Sequence, residues 1–256
     1  GNLQDVYYHN AVSLIGETTW LVVRRSMEAR TLRVTAIDVG QGSATLIGFP
    51  DGRSMLVDGG GFAGSRFDIG KHVLAPFLFH ERIRTLDYVV LTHPHPDHMN
   101  GLLSILDNFP VGEFWSTEQT AEGDEYERLC RLVAERKIRH RIAGAQPKDI
   151  RIGKVAVAIV AGPASPAAHH PIGMNDGSLV MKITYGKVGI LLPADITERS
   201  EAALLRTPVN LQSRVLFAPH HGGNRSSSDD FLARVAPDLA VISCGADNEY
   251  GHPHDD

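Results

Sequence analysis

Apolar positions along this chain fall in short unbroken runs bounded by turn residues, the pattern of buried β-strands. Leu86-Asp87-Tyr88-Val89-Val90-Leu91-Thr92 is the clearest, being β-branched and aromatic. Ser54-Met55-Leu56-Val57, Val188-Gly189-Ile190-Leu191-Leu192-Pro193-Ala194 and Val215-Leu216-Phe217-Ala218-Pro219 repeat it. Strands and turns alternate from Leu32 to Val57, and further strands are predicted at Ile150 to Val160, Ser178 to Tyr185 and Leu239 to Ser243. Between these, Ile69, Val73, Leu74, Phe77 and Leu78 recur at helical spacing within Phe67 to Glu81. Gly101 to Phe109, Glu122 to Lys137, Glu198 to Leu205 and Asp229 to Val235 are further predicted helices. Two runs of strands, each accompanied by helices, predict an α/β fold with two stacked sheets and helices outside, a four-layer αββα arrangement. Residues 1 to 30 are a poorly patterned lead-in, and Gly162 to Gly173 is a loop rich in Pro, Ala and His.

Composition changes this picture little. The chain is 43% hydrophobic and 21% charged, ordinary values for a globular domain. No segment approaches the ~18 apolar residues of a membrane span, and the stretch Trp20-Leu21-Val22-Val23 is stopped by Arg24-Arg25. The cysteines, Cys130 and Cys244, read as small core residues with no disulfide partner.

The chemistry lies at the ends of the apolar runs. Directly after Thr92 comes His93-Pro94-His95-Pro96-Asp97-His98. At this histidine content the pattern H-x-H-x-D-H arises by chance in roughly one such chain in four hundred. On the loop leaving a strand, several short ligands can converge without a helix forcing them onto separate faces, and the prolines stiffen the loop. Imidazole and carboxylate suit zinc, manganese or iron. Asp58, followed by Gly59-Gly60-Gly61, ends a second run; Asp195 ends a third; His220-His221-Gly222-Gly223 ends a fourth. Four strand ends, each delivering a carboxylate or imidazole, point to a dinuclear metal site at one edge of the sheets.

This order of motifs resembles the metallo-β-lactamase superfamily. Ile37-Asp38-Val39-Gly40-Gln41-Gly42-Ser43-Ala44 narrows the resemblance to the nuclease-like domain of ComEC-type DNA-uptake channel proteins. So do Asn175-Asp176-Gly177-Ser178, Leu192-Pro193-Ala194-Asp195-Ile196, Pro219-His220-His221-Gly222 and Tyr250-Gly251-His252-Pro253-His254. The resemblance implies a single domain over residues 31–256, with 1–30 a linker from a membrane part. The chain ends two residues after His254, short of the closing helix and strand that the family fold implies, so the domain is expected to lack its C-terminal end.

The resemblance also implies roles. His93 and His95 would hold one divalent ion, zinc or manganese; Asp97 and His98 a second; Asp195 would bridge them. Two such ions about 3.5–4 Å apart clamp the attacking and leaving oxygens of a phosphodiester. Because neighbouring strand residues point to opposite sides, one of His220 and His221 is expected at the second ion. His221, beside the glycine turn, is favoured. Asp58 is expected to anchor the metal loop without touching metal. Where the superfamily usually places a third histidine for the first ion, this chain has Asn175, a variant that ComEC-type domains share. His169 and His170 are near in sequence but out of register. Ser178, Arg225, Ser226 and His252 are expected near substrate or behind the ligands. Backbone N–H groups and hydroxyls of Gly222 to Ser228 read either as a phosphate site at a helix N-terminus or as an ordinary N-cap.

The expected activity is metal-dependent DNA hydrolysis that degrades the strand not imported. The partners would be single-stranded DNA and the channel part of the same polypeptide, on the outer face of a bacterial inner membrane. Alternatives are a hydrolase of small or cell-wall esters and a non-catalytic DNA-binding module. The net charge of −5 sits poorly with a DNA partner. The basic run Arg128, Arg131, Arg136, Lys137, Arg139, His140, Arg141, Lys148, Arg151 and Lys154 could track a phosphate backbone, but interleaved Glu125, Glu127 and Glu135 also fit a solvated helix face.

Overall fold

A computed structural model describes residues 31–143, 148–162 and 173–254. The lead-in, His169 and His170 lie outside these residues. Two six-stranded sheets carry the fold. The first runs in sequence order: β1 (Arg33–Ala36), β2 (Thr45–Gly48), β3 (Ser54–Val57), β4 (Leu86–Val90), β5 (Val111–Ser116), β6 (Arg139–Ile142). The second runs in reverse: β12 (Leu239–Val241), β11 (Val215–Phe217), β10 (Val188–Leu192), β9 (Val180–Tyr185), β8 (Val155–Ala161), β7 (Lys148–Ile152). The helices are α1 (Ala75–His80, entered through a wide π turn at Gly70–Leu74), α2 (Pro96–Asn108), α3 (Asp124–Glu135), α4 (Glu198–Leu205) and α5 (Asp229–Val235).

The unbroken apolar runs are explained by three separate packing layers. Successive side chains of a strand point to opposite faces. On β3 and β4, Leu56 and Val89 pack outward against Leu74, Met99, Leu102 and Leu129 of the first helical layer. Their neighbours Met55, Val57 and Val90 pack inward against Val157, Met181, Ile190 and Leu192 of the second sheet. Leu191 then turns to the outer face of that sheet, against Leu204, Phe231 and Val235. Both faces of the central strands are buried, so both alternating positions must be apolar. The αββα architecture expected from the pattern is the one observed.

The structure corrects several boundaries. The helix expected to begin at Gly101 begins at Pro96, inside the metal motif, with proline at its first position, where no N–H is needed. Asp97 and His98 are therefore helical residues, not loop residues. The strand expected over Ile150 to Val160 is a hairpin, β7 and β8 paired antiparallel across Gly153. Strands β5 and β6 had not been anticipated; β6, Arg-His-Arg-Ile, has no apolar pattern and forms because β5 offers it a parallel edge. Cys130 is exposed and Cys244 half-buried, so the core reading fails for Cys130; both are free thiols.

Two glycines seat α2. A Cβ on Gly101 would stand 1.9 Å from the Gly59 carbonyl oxygen, and one on Gly59 would stand 2.7 Å from the Leu102 nitrogen. Neither approach tolerates a side chain, so helix and Asp58-Gly59-Gly60-Gly61 loop pack backbone to backbone. Gly59 N–H donates to the His98 carbonyl at 2.7 Å and Gly101 N–H to the Gly60 carbonyl at 2.9 Å.

Candidate metal centre

Four strand ends meet because the strands run parallel in pairs. β3 pairs with β4 and β10 with β11, each in parallel, so each pair delivers its C-terminal residues to one edge. β9 is antiparallel to β10, which brings Asn175 and Ser178, just before β9, to that same edge. Leu179 N–H donates to the Thr92 carbonyl at 2.9 Å, joining the two sheets there.

At this edge Asp97, His98, Asp195 and His221 offer ligand atoms that all lie within 4.8 Å of one another. Asp195 is the hub. Its Oδ1 is 3.1 Å from His98 Nε2 and its Oδ2 3.3 Å from His221 Nε2. His221 Nε2 is also 3.4 Å from Asp97 Oδ2. Ligands bonded at about 2.0–2.1 Å to one tetrahedral ion lie roughly 3.3–3.4 Å apart, so these separations suit a cation between them. His93 Nε2 reaches Asp195 Oδ2 at 3.9 Å and His95 Nδ1 at 3.1 Å. Two ring nitrogens face each other there beside the shared carboxylate.

The far side of each ring supports the same reading. His98 Nδ1 lies 2.8 Å from Asp58 Oδ2, and His221 Nδ1 lies 2.8 Å from the Ser243 carbonyl oxygen. Thr92 Oγ1 donates to Asp58 Oδ2 at 2.8 Å and lies 3.2 Å from His93 Nδ1, so its oxygen can accept from that ring. Each Nδ1–H is anchored on an oxygen, which turns Nε2 into the cluster, the usual support of metal-binding imidazoles. His98 Nε2 and His221 Nε2 are buried without a hydrogen bond. The residues present fit divalent metal.

Charge follows this geometry. Burial pushes the Asp195 carboxyl up, but His98 and His221 outweigh it and hold the group well below its usual range. Burial also pushes Asp97 up, yet the neighbouring His221 and His98 bring it down to about 2. His98 is raised well above the ordinary histidine value because Asp195 and Asp58 outweigh its burial. His221 is raised to about 9, burial being outweighed chiefly by Asp195. Burial lowers His93 strongly, helped by the neighbouring His98, and burial lowers His95. The lowered values favour the neutral, ligand-ready form of His93 and His95, whereas at His98 and His221 an incoming cation competes with protons.

The local backbone is strained where it serves the cluster. Asp58, Ala194, His220 and His221 have φ of 58°, 54°, 50° and 57°, each costing roughly 1–3 kcal/mol for a non-glycine residue. The two histidines therefore do not alternate on a strand. They occupy a left-handed turn, and the strand-alternation argument for choosing between them does not apply. That turn sends His221 to Asp195 and Asp97. His220 goes elsewhere, its Nε2 accepting from Asn175 Nδ2 at 3.1 Å. His220 Nδ1, Asn175 Oδ1 and Ser178 Oγ are buried without hydrogen bonds.

Asp58 hydrogen-bonds to the segment that follows β4: besides His98, it receives the Thr92 N–H at 2.8 Å on Oδ1. Ser226 and the Gly222 to Ser228 loop do not offer a phosphate site. The hydroxyl of Ser226 turns to the Gly223 and Pro219 carbonyls, at 2.8 and 3.0 Å, and so braces the histidine turn. The N–H groups of Ser227 and Ser228 and the Ser228 hydroxyl are taken by the fully buried Glu201 carboxylate, at 2.6, 2.9 and 2.6 Å. Arg225 is exposed. His252 stacks on His221 at 6.1 Å, and its Nδ1 lies 3.5 Å from Gln41 Nε2. Within the basic run, Arg136 meets Asp107, Arg139 and Arg141 meet Glu113, and Arg131 meets Glu127. The side chain of Lys148 lies outside the described residues.

Several supporting residues were not singled out from sequence. Thr92 stands between three of the polar groups, and its place directly before the H-x-H-x-D-H motif was the available signal. Asp176 accepts the Thr197 N–H and hydroxyl at 3.1 and 2.6 Å, tying the Asn175 turn to the loop after Asp195. Glu201 had no such signal, being distant from the motifs.

Comparison with known proteins agrees. The family model described as the metallo-beta-lactamase superfamily matches residues 37–246. The chain is 28% identical over 236 residues to ComE operon protein 3 of Bacillus subtilis (strain 168), covering 86% of this chain and 29% of that protein. It is 30% identical over 221 residues to Competence protein ComA of Neisseria gonorrhoeae, covering 86% of this chain and 28% of that protein. The chain thus spans under a third of the length of these curated relatives. CmlA, a diiron beta-hydroxylase from Streptomyces venezuelae, superposes with a TM-score of 0.55 at 16% identity, covering 87% of this chain and 49% of that one. That likeness is one of fold alone. The match to the family model runs through every residue of the cluster, from Asp58 to His221, and the chain belongs to the metallo-β-lactamase superfamily.

Proposed function

We propose that this domain is a metal-dependent nuclease that hydrolyses DNA phosphodiester bonds within a DNA-uptake protein, degrading the strand that is not imported. The observation that carries the reading is the convergence of Asp97, His98, Asp195 and His221, with His93 and His95 beside the shared Asp195 carboxylate. Similarity to a protein named for competence supports DNA as the substrate. The channel part of the same polypeptide and a place on the outer membrane face belong to this proposal. No helix among the described residues is long and apolar enough to cross a membrane.

His98, Asp97, His221 and Asp195 would hold one ion; His93, His95 and Asp195 the other. Bound there, divalent ions supply Lewis-acid polarisation of a phosphoryl oxygen and a nucleophile at neutral pH. The chain's own residues set direction and charge. The Asp97 side chain is 29% exposed, whereas those of His98, Asp195 and His221 are 0%, 4% and 3% exposed. Substrate therefore approaches from the Asp97 side. Asp97 and Asp195 are ionised, so they balance cationic charge in a buried site. Asp58 and Thr92 fix the rings of His98 and His93.

The test is cleavage of labelled single- and double-stranded DNA with Mn²⁺, Zn²⁺ and Mg²⁺, with chelator controls. We expect cleavage of the single strand only with a divalent ion. Cleavage that survives exhaustive chelation overturns the mechanism. Turnover of small phosphodiesters without DNA cleavage keeps the metallohydrolase and removes the DNA. Metal binding with no turnover leaves a non-catalytic module.

A further inference from the structure

Beside the metal centre lies a groove of about 390 Å³ whose lining includes Pro96, Asp97, Phe62, Tyr250, Asp247 and Glu249. The volume is within the range of small-molecule sites. Asp97 belongs both to this groove and to the metal cluster, so whatever occupies the groove is continuous with a substrate at the metal edge. Two large aromatic side chains are exposed there: Phe62 is 38% and Tyr250 63% exposed. Each ring presents an exposed apolar face where it lines the groove.

The groove is built, not incidental. Asn248 organises its outer loop, accepting the N–H groups of Tyr250 and His252 on Oδ1 at 3.1 and 2.9 Å. Its Nδ2 donates to the Gly245 and His252 carbonyls at 2.8 and 2.6 Å. Gln41 ties that loop to the loop between β1 and β2 by accepting the Gly245 N–H at 3.0 Å. From this loop a stack of rings leads inward. Tyr250 lies over His252 with centroids 5.6 Å apart and planes at 26°, and His252 lies over His221 at 6.1 Å and 25°. The exposed tyrosine is thus held at a set angle to a residue of the metal cluster.

We propose that Phe62 and Tyr250 form a stacking platform for a nucleobase of single-stranded DNA, the base adjoining the phosphate held at the metal centre. This rests on the nuclease reading above and names how its substrate is gripped. The charges of the groove select the base over the backbone. Asp247 and Glu249 are exposed carboxylates that repel phosphate, so the phosphate stays at the metal end while the uncharged base lies in the groove. Stacking on aromatic rings accepts any base, which suits a domain that meets unspecified sequence. It also requires an unpaired base, which favours single strands over duplex.

The test compares fluorescent oligothymidylate with an abasic oligomer of the same phosphodiester length, in binding and in cleavage, on the Mn²⁺-loaded protein. We expect the wild type to bind the base-bearing strand more tightly. Phe62→Ala and Tyr250→Ala should each raise its Kd and KM by roughly 5- to 150-fold, the range for one base stacked on one ring. Their kcat and their binding of the abasic strand should stay near wild type, and Tyr250→Phe should retain the preference. Both side chains are exposed, and circular dichroism checks that the variants fold. Equal wild-type affinity for both strands, or an undiminished preference in both alanine variants, overturns the platform even where cleavage is intact. A base preference lost in the variants without any DNA cleavage leaves the platform standing and overturns the nuclease. Absence of binding to either strand overturns both.

Discussion

Oδ2 of Asp58 stands 2.8 Å from Nδ1 of His98, and that contact decides which nitrogen of His98 meets Asp195. Asp58 reaches this position from a left-handed backbone conformation, with φ of 58°, which asparagine also adopts readily. Asp58→Asn should therefore fold. Its amide nitrogen cannot accept the imidazole proton, so metal affinity should fall about 10- to 100-fold, read by calorimetry. Unchanged affinity would show that His98 needs no such support.

Asp195 is 3% exposed and lies between three imidazoles. Asp195→Ala removes the carboxylate that lies against both halves of the cluster. Metal retained after dialysis should drop for both ions, and DNA cleavage should fall by at least about 10³-fold, a reasonable loss when the charge that anchors a metal-assisted reaction disappears. Near-normal turnover in a metal-loaded variant would mean that another residue bridges.

Asn175 donates to His220 and leaves its own Oδ1 without a partner. Beside the shared Asp195, the half of the cluster holding His93 and His95 thus has one imidazole fewer than the superfamily pattern, and the half with Asp97, His98 and His221 should fill first. Calorimetry should show two steps, with activity appearing as the weaker one saturates. Asn175→His should tighten that step and move its preference towards Zn²⁺, since nitrogen ligands suit zinc better than oxygen ligands do. Two equal, tight sites that Asn175→His leaves unchanged would contradict this.

Glu113 governs part of the pH dependence of stability away from the metal. Burial pushes its carboxyl up, but the Trp115 Nε1–H at 2.9 Å and Arg141 and Arg139 at 3.2 and 3.1 Å hold it below the ordinary value of 4.5. A lowered folded pKa means that the ionised form favours the native state. The contribution is complete above 4.5 and is lost as pH falls through the lower folded value. Glu113→Gln should cost up to about 1 kcal/mol at pH 7, kept small by solvent screening at the two arginines. The two urea-unfolding curves should converge below pH 4.5. A difference that persists undiminished in acid would assign the effect to packing.

Much of this protein is legible in the order of its residues. Because both faces of the central strands are buried, Met55, Leu56 and Val57 must all be apolar, and such runs announce stacked sheets. Because His93, His95, Asp97 and His98 lie within six residues, no long-range folding is needed to bring them near one another. Asp58 and Asp195 are visible as charges at the ends of apolar runs.

What the chain order could not decide was orientation and partnership between distant segments. The choice between His220 and His221 rests on a left-handed turn held by the Ser226 hydroxyl and by His220 N–H on the Ala194 carbonyl at 3.1 Å. No strand periodicity describes such a turn. The N–H groups before α5 looked open to phosphate because the Glu201 carboxylate that fills them comes from α4, 26 residues earlier. β6 carries no apolar signal, since an edge strand can form on backbone hydrogen bonds to β5 alone. Sequence determined which side chains could hold metal, through residue type and local spacing. Only the tertiary structure decided which of their atoms face it, because that depends on hydrogen bonds closed across tens to hundreds of residues, where local pattern carries no information.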